Sequence, residues 1–192
     1  MLTLEIMQDG ISLYYKGRKI PVVTLYATPF LHYIQFVAPY VAKRLVEAGI
    51  AKFHMQDARA ARVVELACRG LCTYAKDGEE IGGVLEEAYY NLLADRVLAH
   101  AISTDSVVIP CADPPLARAL IRRAREYAPD LAIIASQYGG ECPDADIRHT
   151  PQPIDSPLPL GPISKAALHT AIWAIEEGVA ESPLTPLLAC ET

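Results

Sequence analysis

Residues 106–136 read SVVIPCADPPLARALIRRAREYAPDLAIIAS, and this stretch decides the fold. SVVIP is a short apolar run bounded by turn residues, as a buried strand should be. Pro114 and Pro115 suit the opening of a helix, and Leu116, Leu120, Ile121 and Ala124 recur at helical spacing behind them. LAIIA is a second buried strand. Strand, helix and strand in that order make a βαβ crossover, which implies a parallel sheet covered by helices. Sheets of this kind bind ligands in the crevice beyond the carboxyl ends of their strands. The residues placed there are Cys111, Ala112, Asp113, Ser136 and Gln137, and they do not spell a familiar phosphate loop.

Working outward, TLEIM, QDG and ISLYYKG predict an N-terminal β-hairpin within residues 1–19, turning at Asp9 and Gly10. IPVVTLYA reads as the first core strand, followed by a loop at Thr28 and Pro29 and a helical stretch that ends near Gly49. AKFHM is a second strand, and DARAARVVELACRGL a helix with Asp57 near its start and Gly70 near its end. Between residues 78 and 101, Val84, Leu85, Ala88, Leu92 and Val97 supply the apolar stripe of one long helix or two shorter ones. In the proline- and glycine-rich region after LAIIA, only ADIRHT reads as a strand. ISKAALHTAIWAIEEGV then forms an amphipathic helix with Ser164 near its start, and residues 181–192 read as a loose tail. The expected fold is one three-layer α/β/α domain over residues 1–192, Rossmann-like, with a mainly parallel five-stranded sheet.

Composition narrows the function classes. A chain of 192 residues that is 52% hydrophobic can bury a substantial core as one domain. Its net charge of −6 and scattered basic residues, apart from Arg118, Arg122, Arg123 and Arg125, argue against nucleic acid as a partner. The longest apolar stretch is broken by Pro21, Pro29, His32 and Pro39 and fails as a membrane span. Glu5 and Asp9 stand where a secretory signal needs a basic start, so a cytoplasmic location is expected. Five cysteines, an odd number, argue against a disulfide framework. Cys68 and Cys72 share one helix face and could open a metal site. With Cys111, Cys142 and Cys190 widely spaced, however, the cysteines read as small buried thiols, and no metal is expected.

The candidate ligand-binding residues are those expected just past parallel strands, namely Thr28, Cys111, Asp113, Ser136 and Gln137, together with Ser164 and Lys165. The last two could hold an anion at a helix N-terminus beside an ammonium, or Ser164 could simply cap the helix. His32 lies in the first crevice loop and His54 ends the second strand, so both could carry protons near neutral pH. Cys111 could act as a nucleophile if a helix start lowered its pKa, although Asp113 opposes a thiolate there. His100, His149 and His169 have no positional argument, and His169 reads as a packing or exposed residue of its helix. No Ser-His-Asp order, HExxH, Walker loop or paired-carboxylate signature is present.

From about residue 92 to 180 the chain resembles the SIS family, the sugar isomerase domains that recognise phosphosugars. DSVVIP with LARALIRRAREYAPDLAIIAS resembles the family's strand, phosphate loop, helix and next strand. DADIRHT is similar to its short aspartate-introduced strand, and LGPISKAALHTAIWAIEEGV to its final helix. The resemblance implies an SIS-like sheet, a homodimer, no cofactor, and a phosphosugar or related small metabolite as ligand. Isomerisation would require a base such as His32 or one of Glu86 and Glu87. The family's phosphate loop is rich in Ser, Thr and Gly, whereas here it reads PCADPPLA, which favours binding over isomerisation. A shorter piece, VVIPCADPPLARALIRRAREYAPDLAIIA, is similar to nucleotide-binding domains that regulate potassium transport, but no GxGxxG follows IPVVTLYA. A nucleotide-sensing regulatory domain and a non-catalytic dimeric scaffold therefore stand as the alternatives.

Overall fold

The computed structural model describes residues 2–7, 10–25, 90–91, 93–156 and 160–188. The chain divides into two compact units, Met1–Ala27 with Asn91–Thr192, and Thr28–Tyr90. Of the second unit only Tyr90 is among the described residues. The expected strand AKFHM, the helices between residues 28 and 89, and the candidates Thr28, His32, His54, Cys68, Cys72, Glu86 and Glu87 all lie outside them, as does Cys190.

The first unit holds an α/β fold with two sheets. The N-terminal hairpin is present, formed by β1 (Leu2–Met7) and β2 (Gly10–Tyr15), and a third antiparallel strand, β3 (Arg18–Ile20), extends it. Lys16 and Gly17 join β2 to β3 with φ of 48° and 77°, the two positive values that a tight two-residue turn between twisted strands requires. After Pro21 the chain enters the main sheet, whose five strands are all parallel. These are β4 (Val22–Leu25), β5 (Ser106–Pro110), β6 (Ala132–Ser136), β7 (Ile147–His149) and β8 (Pro183–Leu188), in spatial order β4-β8-β5-β6-β7.

Among the described residues, two long helices pack against this sheet. Helix α1 (Pro114–Tyr127) joins β5 to β6 and buries Leu116, Ala117, Ala119, Leu120 and Ala124; helix α2 (Pro162–Glu176) joins β7 back to β8. The two crossovers run in opposite directions across the sheet, so right-handed connections put the helices on opposite faces. The result is a Rossmann-like α/β/α sandwich. On the α2 side, Ala167, Leu168, Ala171 and Ile172 close a core with Val108 and Leu187 of the main sheet and Leu13 and Ile20 of the antiparallel sheet. Tyr15 donates to the Glu176 carboxylate, and Lys16 pairs with it at 3.0 Å, fastening the small sheet to the end of α2.

The segment expected to be a loose tail is instead β8, buried along its whole length between β4 and β5. Its prolines hid it, because proline rarely occurs in a central strand. Here they fall where no amide is needed. Pro183 begins the strand, and the Thr185 amide turns toward β4, donating to the Pro21 carbonyl at 2.9 Å. Pro186 therefore turns its missing N–H toward β5, where pairing has already stopped at Leu184. At the other end of the sheet, the Asp105 carboxylate receives the amides of Glu181 (2.6 Å) and Ser182 (3.1 Å) and the Ser106 hydroxyl (2.9 Å), fixing the entry to β8 beside the start of β5.

Candidate functional site at the carboxyl edge of the sheet

The βαβ reading of residues 106–136 places Cys111, Asp113, Ser136 and Gln137 at one edge, and the structure keeps them there. Pro110 and Ser136 are register partners, the Cys111 amide donates to the Ser136 carbonyl at 3.1 Å, and the Gln137 amide donates to the His149 carbonyl at 2.9 Å. Their chemical states differ from the expectations in three ways.

First, Cys111 forms a disulfide with Cys142, so it carries no thiol in this state and the reading of all five cysteines as thiols is corrected. The two are 31 residues apart in sequence, and neither the odd cysteine count nor the spacing indicated the bond. Residue 111 follows β5 and residue 142 lies in the loop after its neighbour β6, so the fold brings them together.

Second, Asp113 is the N-cap of α1. Its carboxylate accepts from the Leu116 amide at 3.2 Å, with Pro114 and Pro115 in the first turn behind it.

Third, the N-cap of α2 is Gly161, and Ser164 lies inside the first turn. Its hydroxyl accepts from the Leu188 amide at 2.9 Å and lies 3.4 Å from the Leu188 carbonyl. The Leu188 amide has the same parity as Pro186 and points away from β4, so Ser164 takes the place of a missing partner strand. Lys165 is half-buried in the same turn, its amide bonded to the Gly161 carbonyl at 3.0 Å.

Ser136 is the most informative of these residues. It is 2% exposed, yet its hydroxyl has no hydrogen-bond partner among the described residues. A buried hydroxyl without a partner costs roughly 1–3 kcal/mol, so such a group calls for an explanation. Its register partner on β7 is His149. Ile134 and Ile147 pack with Trp173 and Ala174 of α2, and side chains two residues further along a strand point to the same face. Ser136 and His149 therefore both face α2 at the carboxyl edge.

His149 is held from two sides. Its ring stacks on Trp173 with centroids 4.3 Å apart, and its Nδ1 lies 3.0 Å from the hydroxyl of fully buried Thr170. His169 meets it edge-on at 5.3 Å, with Nδ1 2.9 Å from the Gln152 amide nitrogen and 2.7 Å from the Gln152 carbonyl oxygen. Burial, and next the nearby charge of His169, push the His149 pKa below its ordinary value. Its lowered pKa thus keeps the imidazole neutral near pH 7, and the contact of its Nδ1 with Thr170 fixes its orientation.

The chain matches no family model, no curated protein and no solved structure. His149 was missed because its strand is short and its helical neighbours read as packing. The rule that selected Ser136, a position at the carboxyl end of a parallel strand, applies equally to the end of ADIRHT. Among the described residues, no group of three or more His, Cys, Asp or Glu side chains could hold a metal, and no helix is long and apolar enough to cross a membrane.

Proposed function

We propose that the carboxyl edge of the parallel sheet binds a small phosphorylated metabolite of the phosphosugar class. The observation that carries this reading is the buried Ser136 hydroxyl, without a hydrogen-bond partner among the described residues, beside an oriented, neutral His149. A sugar presents alternating hydroxyl donors and acceptors, which suit a serine hydroxyl and an imidazole Nε2 on adjacent strands. Lys165, in the first turn of α2 at the same edge, supplies positive charge for a phosphate. The same reading makes the protein a cytoplasmic homodimer whose ligand is a small molecule, with neither nucleic acid nor a membrane as partner.

Binding is the primary activity in this proposal. His149 favours one extension, because a neutral imidazole fixed through Nδ1 is suited to move a proton at a sugar carbon, as isomerisation requires.

The test is a thermal-shift screen of the purified protein against hexose and heptose phosphates, adenine nucleotides and inorganic phosphate, repeated with Ser136→Ala. Phosphosugars should raise the melting temperature and nucleotides should not. Ser136→Ala should abolish the shift while leaving the unliganded protein as stable as before, or more so, since it removes an unsatisfied buried group. A shift with nucleotides alone would replace this reading with nucleotide sensing, and no shift with any ligand would leave a scaffold.

A further inference from the structure

The loop between β6 and β7 is anchored firmly at both ends and almost nowhere between. At its start the Gln137 amide bonds to the His149 carbonyl. At its end the Asp146 amide donates to the Ile133 carbonyl at 3.0 Å, the Ile133 amide returns to the Asp146 carboxylate at 2.8 Å, and Arg125 pairs with that carboxylate. Arg148 also holds the Pro143 carbonyl. Residues 138–142, by contrast, make no hydrogen bond to the rest of the described structure; the Cys142 carbonyl only accepts from Ala145 within the loop. What fastens this tip is the bond from Cys142 to Cys111. The tip lies directly on the end of β5, since a Cβ on Gly140 would stand 2.1 Å from the Cys111 carbonyl oxygen.

We propose that the Cys111–Cys142 disulfide is a redox latch that holds residues 138–142 over the carboxyl end of β5. Its reduction releases the tip and opens that edge to ligand. The part of this inference that concerns ligand rests on the phosphosugar reading above; the latch itself does not. A small dithiol is the reductant. One of its thiolates attacks Sγ of Cys142, which is 2% exposed against 0% for Cys111, and Cys111 leaves as a thiolate that takes up a proton. The second thiol of the reductant then closes onto the mixed disulfide and frees Cys142 as a thiol. The dithiol ends as a cyclic disulfide, and two electrons and two protons have passed to the protein. Because both sulfurs are buried, attack must await a transient lifting of the tip. Since ligand binds the opened edge better, ligand in turn favours the reduced form.

Limited digestion by a Glu-specific endoproteinase tests the latch without any ligand. Cleavage after Glu141, in the tip, is compared with cleavage after Glu177, an exposed position past α2 that serves as internal reference. Dithiothreitol should raise the Glu141 to Glu177 ratio by about threefold or more, and Cys111→Ser with Cys142→Ser should show the raised ratio with or without reductant. A smaller rise, or equal acceleration at both sites from general loosening, overturns the latch. Melting shifts with glucose 6-phosphate are then compared in the two redox states. A larger shift after reduction supports the gating, and equal shifts overturn it while the binding site stands. No shift in either state, with the cleavage ratio raised, removes the phosphosugar reading and leaves the latch.

Discussion

The Ser164 hydroxyl accepts the amide hydrogen of Leu188 at 2.9 Å, tying the first turn of α2 to the last residue of β8. Both residues are buried, at 1% and 9% exposure, so water cannot replace the bond. Ser164→Ala should therefore destabilise the protein by about 1–3 kcal/mol. Urea unfolding measures this directly, and a change within about 0.5 kcal/mol would show that the contact is dispensable.

His149 should titrate below the usual histidine value of about 6.5, chiefly because it is buried and secondly because His169 repels its charge. Its folded pKa is depressed relative to the unfolded chain, so the unfolded state binds more protons between the two values. Stability should thus fall as the pH drops through about 6.5 and level off below the folded pKa. An NMR titration of the imidazole C–H signals checks the first point. His169→Gln should move His149 part of the way back toward its ordinary value, and an unchanged titration would remove His169 as a cause.

Asp105 offers the opposite kind of pH dependence. Burial pushes its carboxyl up, but the amides of Glu181 and Ser182 and the Ser106 hydroxyl outweigh that and hold the pKa below the ordinary value. Its contribution to stability is present in full above the unfolded pKa of about 3.9 and fades as the pH falls through the lower folded value. Because the carboxylate is exposed and solvent screens it, Asp105→Asn should cost only about 0.5–1 kcal/mol at neutral pH, with the gap to the natural protein narrowing toward pH 3. A gap that stays constant with pH would mean that the charge is not what matters.

Gly140→Ala should be poorly tolerated. The added methyl would meet the Cys111 carbonyl oxygen at 2.1 Å, and this neighbour is backbone in a sheet-end position that cannot move aside cheaply. A loss of about 1–3 kcal/mol, seen as a lower melting temperature, is expected. An unaffected melting temperature would mean that the tip moves aside at little cost.

Much of the architecture was legible in the sequence because it is written locally. SVVIP and LAIIA became β5 and β6, the double proline opened α1, ADIRHT contained β7, and ISKAALHTAIWAIEE lies in α2. What escaped is non-local. PLTPLL carries two prolines, and only the β4 pairing, together with the early end of the β5 ladder, makes a strand of it. The Cys111–Cys142 bond and the pairing of Ser136 with His149 likewise depend on which strands lie side by side. The position of Ser136 at the carboxyl edge was legible because that rule needs only a strand boundary. The anion role read into Ser164 and the nucleophile read into Cys111 assumed free groups, and tertiary contacts had already engaged both.

The strand order β4-β8-β5 also bears on how the chain is made. β8 is the last of the five to be synthesised, yet it separates two strands made earlier. While the ribosome is still translating residues 111–182, the nascent chain carries both β4 and β5 with no strand to fill the space between them. Each then presents a bare row of amides and carbonyls on its facing edge, the kind of edge that recruits strands from other chains. The main sheet therefore reaches its native order only after residues 183–188 emerge, so aggregation of stalled or prematurely ended chains is the hazard built into this topology.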